Sequence, residues 1–177
     1  MRRHLRGSAV PGDVVARADL RRGEKPLAHA STTDGSWLLG TRDALVIVEP
    51  AETIRVPWER VETADWDREA ERLRVAEVGE FGRVRPVHTF TVSEPGQLLS
   101  MVRERVTASV LIQRRVVVEG RRGLTVIARR PPQGDGDITW ACEYDAGVDP
   151  QDPAVREVAD RAVRAAQDEL GPGRQPI

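Results

Sequence analysis

The chain has 177 residues, of which 40% are hydrophobic, a fraction that supports a packed core and excludes a disordered chain. No apolar run approaches the roughly 18 residues that predict a membrane-spanning helix, and the basic segment 1–13 lacks the apolar stretch of a secretory signal. The single cysteine, Cys142, excludes an internal disulfide framework, and we therefore predict a cytoplasmic protein. The length predicts one large domain, or one domain and a small annex.

The first 22 residues are predicted to form an N-terminal arm with a short helix from Asp13 to Arg22, which Gly23 ends. After Gly23 the sequence shows the alternation of strands, interrupted by turn residues. Seven strands are predicted, at residues 26–30, 36–41, 44–49, 53–58, 61–66, 71–78 and 86–92. The two glycines in residues 78–83 predict a hairpin tip before the last of them.

The hydrophobic period then changes from strand to helix. Ser93 is predicted to be the N-cap, with Pro95 in the first turn, and this helix is expected to end between Ser109 and Gln113. Three further strands are predicted, at residues 116–118, 124–130 and 138–144.

A final helix is predicted after Asp152, with Asp152 as its cap and Pro153 in its first position. One apolar stripe runs from Val155 to Leu170, and Gly171 ends the helix. Since the stripe has to be buried, we expect it to cover the strand face that carries Ile138, Trp140, Cys142 and Tyr144. Residues 172–177 are predicted to be a mobile tail.

Three short motifs lie at the corners between the predicted strands. Residues 23–27 read Gly-Glu-Lys-Pro-Leu, residues 41–45 read Thr-Arg-Asp-Ala-Leu, and residues 56–61 read Val-Pro-Trp-Glu-Arg-Val. With the strand order, they resemble the bacterial pleckstrin-homology-like (PH-like) and GRAM-like domains over about residues 20–112. The step W-x-x-V-x-x-A-x-W-D, at residues 58–67, also resembles actinobacterial proteins. The resemblance implies no particular activity for this chain.

The fold class expected from these features is α+β. A PH-like β-barrel with a capping helix is expected over residues 23–112, and a small βββα annex over residues 113–171. Within the barrel, Trp58 alternates with Ile54 and Val56, so we predict that Trp58 packs in the core, and Trp66 with it. An exposed contact surface is the alternative for both tryptophans.

The sequence contains no catalytic or metal-binding signature. His4, His29 and His88 have no neighbours at metal-ligand spacing, and His88 is expected to be a structural residue. Cys142, on an apolar strand face, is expected to be a buried structural thiol. The loop Gly134-Asp135-Gly136-Asp137 lacks the further acids of a calcium loop and is interpreted as a hairpin tip. We therefore predict no cofactor, no metal and no enzymatic activity.

Residues 94–131 carry 8 basic and 3 acidic side chains, and residues 132–177 carry 4 and 10, so a basic face is expected beside an acidic one. Paired arginines at strand ends, which favour phosphate binding, make up the candidate anion-binding set. Its members are Arg114, Arg115, Arg121, Arg122, Arg129 and Arg130. The alternative is a solvated rim that pairs with the acidic block.

The function predicted from these features is a non-enzymatic interaction module with a protein partner or an anionic ligand. The alternative is a nucleic-acid-binding or ribosome-associated protein that uses the basic residues 103–130. Residues 94–131 contain no aromatic side chain for base stacking, and this composition favours the first prediction.

Overall fold

A computed structural model describes residues 9–79, 85–134 and 136–171. The predicted hairpin tip at residues 78–83 lies mostly outside the described residues, and the predicted tail at residues 172–177 lies wholly outside them. The chain divides into two compact units, Met1–Thr107 and Ala108–Ile177. No helix of the described part of the chain is long and apolar enough to cross a membrane.

The first unit contains two antiparallel sheets. Strands β1 to β4 form the first sheet in sequence order, and they span Ala28–Ser31, Trp37–Gly40, Ala44–Val48 and Thr53–Pro57. Strands β5 to β7 form the second sheet, also in sequence order, and they span Val61–Asp67, Arg72–Glu77 and Val87–Thr91. Helix α1 (Gly12–Arg17) precedes these strands and helix α2 (Leu98–Ser109) follows them.

The α+β class is confirmed, but the described strands form open sheets and no closed barrel. The chain leaves the first sheet at Pro57, whose missing N–H cannot extend the ladder. A 3₁₀ turn, Trp58–Arg60, then redirects the chain, so β5 starts a new sheet with β6 as its neighbour. The barrel expected over residues 23–112 is therefore two separate open sheets with a helix.

Both faces of the first sheet are covered, as the fully buried strand β3 shows. Leu45 and Ile47 on one face belong to a core cluster that also draws on the second sheet and α2. Val46 and Val48 on the other face pack with Val14 of α1. Val10, Ala18 and Leu20 belong to the same cluster, so residues 9–22 of the predicted N-terminal arm are packed against this face of the sheet.

Two helices of the first unit are shorter than the sequence predicts, and in each case a left-handed backbone residue explains the difference. Asp19 has φ 45°, so α1 ends at Arg17 and does not continue to Arg22. Gly96 has φ 52°, so α2 begins at Leu98 rather than after Ser93.

The second unit is an antiparallel sheet of order β10-β9-β8, covered on one face by a helix. Its elements are β8 (Val110–Glu119), β9 (Arg122–Arg129), β10 (Thr139–Tyr144) and α3 (Pro153–Leu170). Strand β8 starts directly after α2, six residues earlier than predicted, which moves the start of this unit from residue 113 to Ala108.

The cap and the packing face of α3 are as predicted. The Asp152 carboxylate accepts a hydrogen bond of 2.8 Å from the amide of Ala154, and Gly171 follows the last helical residue with φ 74°. The apolar stripe of α3 packs on the sheet face that carries Trp140, Cys142 and Tyr144, whereas Ile138 precedes β10 and is not part of this cluster.

Candidate anion-binding surface

Four of the six candidate arginines are divided between the two ends of the β8–β9 hairpin, and Arg114 and Arg115 lie in the middle of β8. Strands β8 and β9 are antiparallel, with Glu119 opposite Arg122 at one end and Val110 opposite Arg129 at the other. Arg121 and Arg122 therefore lie at the turn, whereas Arg129 and Arg130 lie at the far end. The sequence could not show this separation, because it depends on which strands pair.

Arg114 and Arg115 are consecutive in β8, so their side chains point to opposite faces of the sheet. Arg114 forms an ion pair with Glu169 in the last turn of α3. Its side chain is thus on the face covered by the helix, where it links β8 to α3.

Arg115 forms a two-pronged ion pair with Asp145, the residue that follows β10. Its Nη1 and Nη2 lie 3.0 and 2.5 Å from the two carboxylate oxygens of Asp145. The hydrogen bonds from Arg115 and from the amide of Gly123 hold the pKa of the Asp145 carboxyl below its usual range, and the same carboxylate raises the pKa of Arg115. The charge of Arg115 is therefore balanced within the unit.

The same ion pair supports the β8–β9 turn. Nη2 of Arg115 also donates to the carbonyl oxygen of Arg121 over 3.0 Å, and the amide of Gly123 donates to Asp145 Oδ2 over 2.8 Å. Glycine is required at position 123, since a Cβ built there would lie 2.0 Å from the carbonyl oxygen of Val116. The turn is thus held by side-chain and backbone contacts on both of its strands.

Arg121 and Arg122 are exposed at this turn. Neither side chain forms an ion pair with any residue of the described ranges. The Arg122 guanidinium lies against the backbone of Gly147, where a Cβ would come within 2.9 Å of Nη1. These two cations are the members of the predicted set that remain available to a ligand at the turn.

Arg129 is only 5% exposed, and its Nη1 donates to the hydroxyl oxygen of Ser109 over 3.1 Å. The next residue, Arg130, is half-buried and uses its amide to bind the carbonyl oxygen of Ser109. Arg129 therefore has a structural role at the far end of the hairpin.

The other candidate residues have structural surroundings. His88 lies 2.8 Å from Glu77 and stacks on Phe90, while His29 meets Trp37 edge to face. His4 and Asp135 lie outside the described residues. Within the described ranges, no three His, Cys, Asp or Glu side chains are grouped so as to hold a metal ion.

One buried charge cluster was not predicted from the sequence. Glu24 accepts hydrogen bonds from both Nη atoms of Arg55 (3.0 and 2.8 Å), from the Thr41 hydroxyl (2.5 Å) and from the Arg21 amide (3.0 Å). Burial raises the pKa of Glu24, but these hydrogen bonds outweigh it and lower the pKa from 4.5 to about 2. The sequence signal for this cluster was Glu24 itself, as part of the motif at residues 23–27. No residue near it in the sequence identified Arg55 as its partner.

No protein-family model matches the chain, and no curated protein matches it at a significant level.

Proposed function

We propose that the protein is a non-enzymatic, cytoplasmic interaction module that binds an anionic group of a ligand or protein partner at the β8–β9 turn. The observation that carries the proposal is the pair Arg121 and Arg122, which are adjacent, exposed and without a carboxylate partner among the described residues. Two planar guanidinium groups at one turn fit a carboxylate, phosphate or sulfate by paired hydrogen bonds.

The support beneath the turn favours binding over a mobile, solvated rim. Arg115 binds the carbonyl oxygen of Arg121 and Asp145 binds the amide of Gly123, so the backbone is held on both sides of Arg122. Binding of a ligand then costs less backbone conformational entropy, because the turn is already ordered. Arg115 itself is a positioning residue here, because Asp145 already balances its charge.

A PH-like scaffold for the first unit is part of the proposal. Four strands, then three strands, then a helix is the order that the resemblance implies, and the two sheets and α2 share one core. Folds of this kind serve mainly as binding platforms, so this architecture supports an interaction function without identifying the ligand.

Heparin, a sulfated polyanion, is a direct probe of the proposed surface. We expect the wild-type protein to be retained on heparin at low salt and released as salt rises, because the attraction is between exposed charges. The Arg121→Ser/Arg122→Ser variant should elute early. An Arg103→Ser/Arg164→Ser variant is the matched control, since both arginines are exposed and unpaired in the described structure.

Equal loss of retention in both variants would show a response to overall charge and would rule out a site at the turn. A gel shift with mixed RNA tests the nucleic-acid alternative. If RNA is bound, depends on Arg121 and Arg122, and competes fully with heparin, the proposed ligand class changes to nucleic acid.

A further inference from the structure

A second basic surface lies on the first unit, just before β1. Arg21, Arg22 and Lys25 are all exposed, and none forms an ion pair with another residue of the described structure. Leu27, two residues further on, is 46% exposed. We call residues 21–27 the basic turn.

The basic turn has a fixed backbone. Glu24 donates its amide to the carbonyl oxygen of Arg21 over 2.9 Å, and its carboxylate accepts the amide of Arg21 over 3.0 Å. Gly23 between them has φ 80°, a left-handed conformation that suits glycine. The turn is thus closed by two reciprocal bonds and anchored to the sheet through Arg55 and Thr41.

The anchoring also decides the charge of the surface. Glu24 would offset one of the three cations, but its side chain is only 4% exposed and is neutralised by Arg55. Asp19 is the other nearby carboxylate in sequence and is exposed. A positive excess of two charges therefore faces the solvent beside an exposed leucine.

We propose that the basic turn binds an acidic protein segment that carries an apolar residue, with its carboxylates on Arg21, Arg22 and Lys25 and its apolar side chain on Leu27. Carboxylates match guanidinium groups in plane and spacing, which gives each arginine a paired contact. A segment with carboxylates and an apolar side chain covers Leu27 and also pairs with the three cations. A nucleic acid would pair with the cations mainly through its phosphates and would leave Leu27 without an apolar partner.

This inference names a partner class for the interaction function, but it uses a different unit and different residues from the β8–β9 turn. It therefore stands or falls independently of Arg121 and Arg122.

The test is a fluorescence-polarisation titration of the full chain with a short labelled peptide in which glutamate alternates with leucine. We expect the Arg21→Ser/Arg22→Ser/Lys25→Ser variant to bind this peptide about tenfold more weakly or worse, since three exposed charge contacts are lost. Arg103→Ser/Arg164→Ser is the control, since both arginines are exposed and lie outside both proposed sites, and it should bind like the wild type. Thermal melts should show no change for either variant.

A second variant separates the apolar contact from the charge. Leu27→Ser should weaken binding of the glutamate–leucine peptide while leaving the affinity for an all-glutamate peptide unchanged. The proposal is overturned if the wild type does not bind the peptide, or if the control variant loses as much affinity as the triple variant. Tighter binding of a single-stranded RNA with the same dependence on Arg21, Arg22 and Lys25 would reassign the turn to nucleic acid.

Discussion

The indole Nε1 of Trp58 donates a 3.0 Å hydrogen bond to the backbone carbonyl oxygen of Thr41, and Trp58 is fully buried. The hydroxyl of Thr41 in turn contacts Glu24 over 2.5 Å. These residues belong to the three motifs at residues 23–27, 41–45 and 56–61, which therefore meet at one corner of the first sheet. The motifs specify a buried polar junction and the packing around it.

Replacing Trp58 by alanine should lower the free energy of unfolding by roughly 3–5 kcal/mol, because a large buried side chain is removed from the core. Trp58→Phe keeps most of the volume but leaves the Thr41 carbonyl without the indole donor, so a loss of about 1–3 kcal/mol is expected. Urea denaturation followed by circular dichroism measures both. Trp66→Ala is the control at a partly buried position against the same core, and it should cost less than Trp58→Ala. If Trp58→Ala unfolds like the parent protein, Trp58 does not support the core.

The stability of the first unit should fall in acid in a way that depends on Glu24. Its folded-state pKa of about 2 is below the usual 4.5, so the stabilising effect of the carboxylate is complete above pH 4.5 and is lost as pH falls from 4.5 toward 2. Glu24→Gln should lose on the order of 2–3 kcal/mol at neutral pH.

The difference between Glu24→Gln and the wild type should shrink as the solution is acidified through this range. Glu52→Gln, at an exposed carboxylate with no ion pair to the described residues, is the control and should follow the wild type. A constant difference at every pH would show that ionisation of Glu24 is not the source of its effect.

The sequence predicted correctly those elements that are specified by residues within or next to them. Helix α3 was predicted with its Asp152 cap, its Gly171 end and its buried face, because each signal lies within a few residues of the feature it specifies. The open arrangement of the two sheets was not predicted. Barrel closure depends on hydrogen bonds between strands distant in sequence, and alternation within one strand carries no information about them.

The candidate site shows the same limit. Alternation places Arg114 and Arg115 on opposite faces, but their partners, Glu169 and Asp145, are 55 and 30 residues away. From the sequence alone, the three arginine pairs therefore suggest one basic edge of the sheet. In the folded unit, two of the six are neutralised by carboxylates, and Arg129 is buried.

Native Cys142 should react slowly with a thiol reagent. The side chain lies on the sheet face under α3, and burial raises the pKa of the thiol, although a hydrogen bond with Tyr144 opposes this in part. A higher pKa leaves less of the reactive thiolate at neutral pH. The control is Val117→Cys in a Cys142→Ser background, at a side chain that is 59% exposed, and it should label rapidly. Cys142 is partly buried rather than fully buried as the sequence predicted, and rapid labelling of it would contradict a structural role.

The close approach of β9 to β8 at Gly123 should couple the stability of the second unit to the turn that we propose as an anion-binding site. A Cβ at this position would lie 2.0 Å from the Val116 carbonyl oxygen and 3.1 Å from the Val117 Cα, and both contacts are with backbone that cannot rotate away. Gly123→Ala should therefore cost roughly 1–3 kcal/mol or more, because the strands must move apart.

Gly12→Ala is the matched control, since a Cβ built on Gly12 meets nothing within 4 Å. It should leave the melting temperature almost unchanged. Separating the strands at Gly123 also shifts the amide that binds Asp145, and with it the support beneath Arg121. We therefore expect Gly123→Ala to reduce both the melting temperature and heparin retention, whereas Arg121→Ser/Arg122→Ser reduces retention alone. A Gly123→Ala protein as stable as the parent would mean that β8 and β9 do not pack this closely in solution.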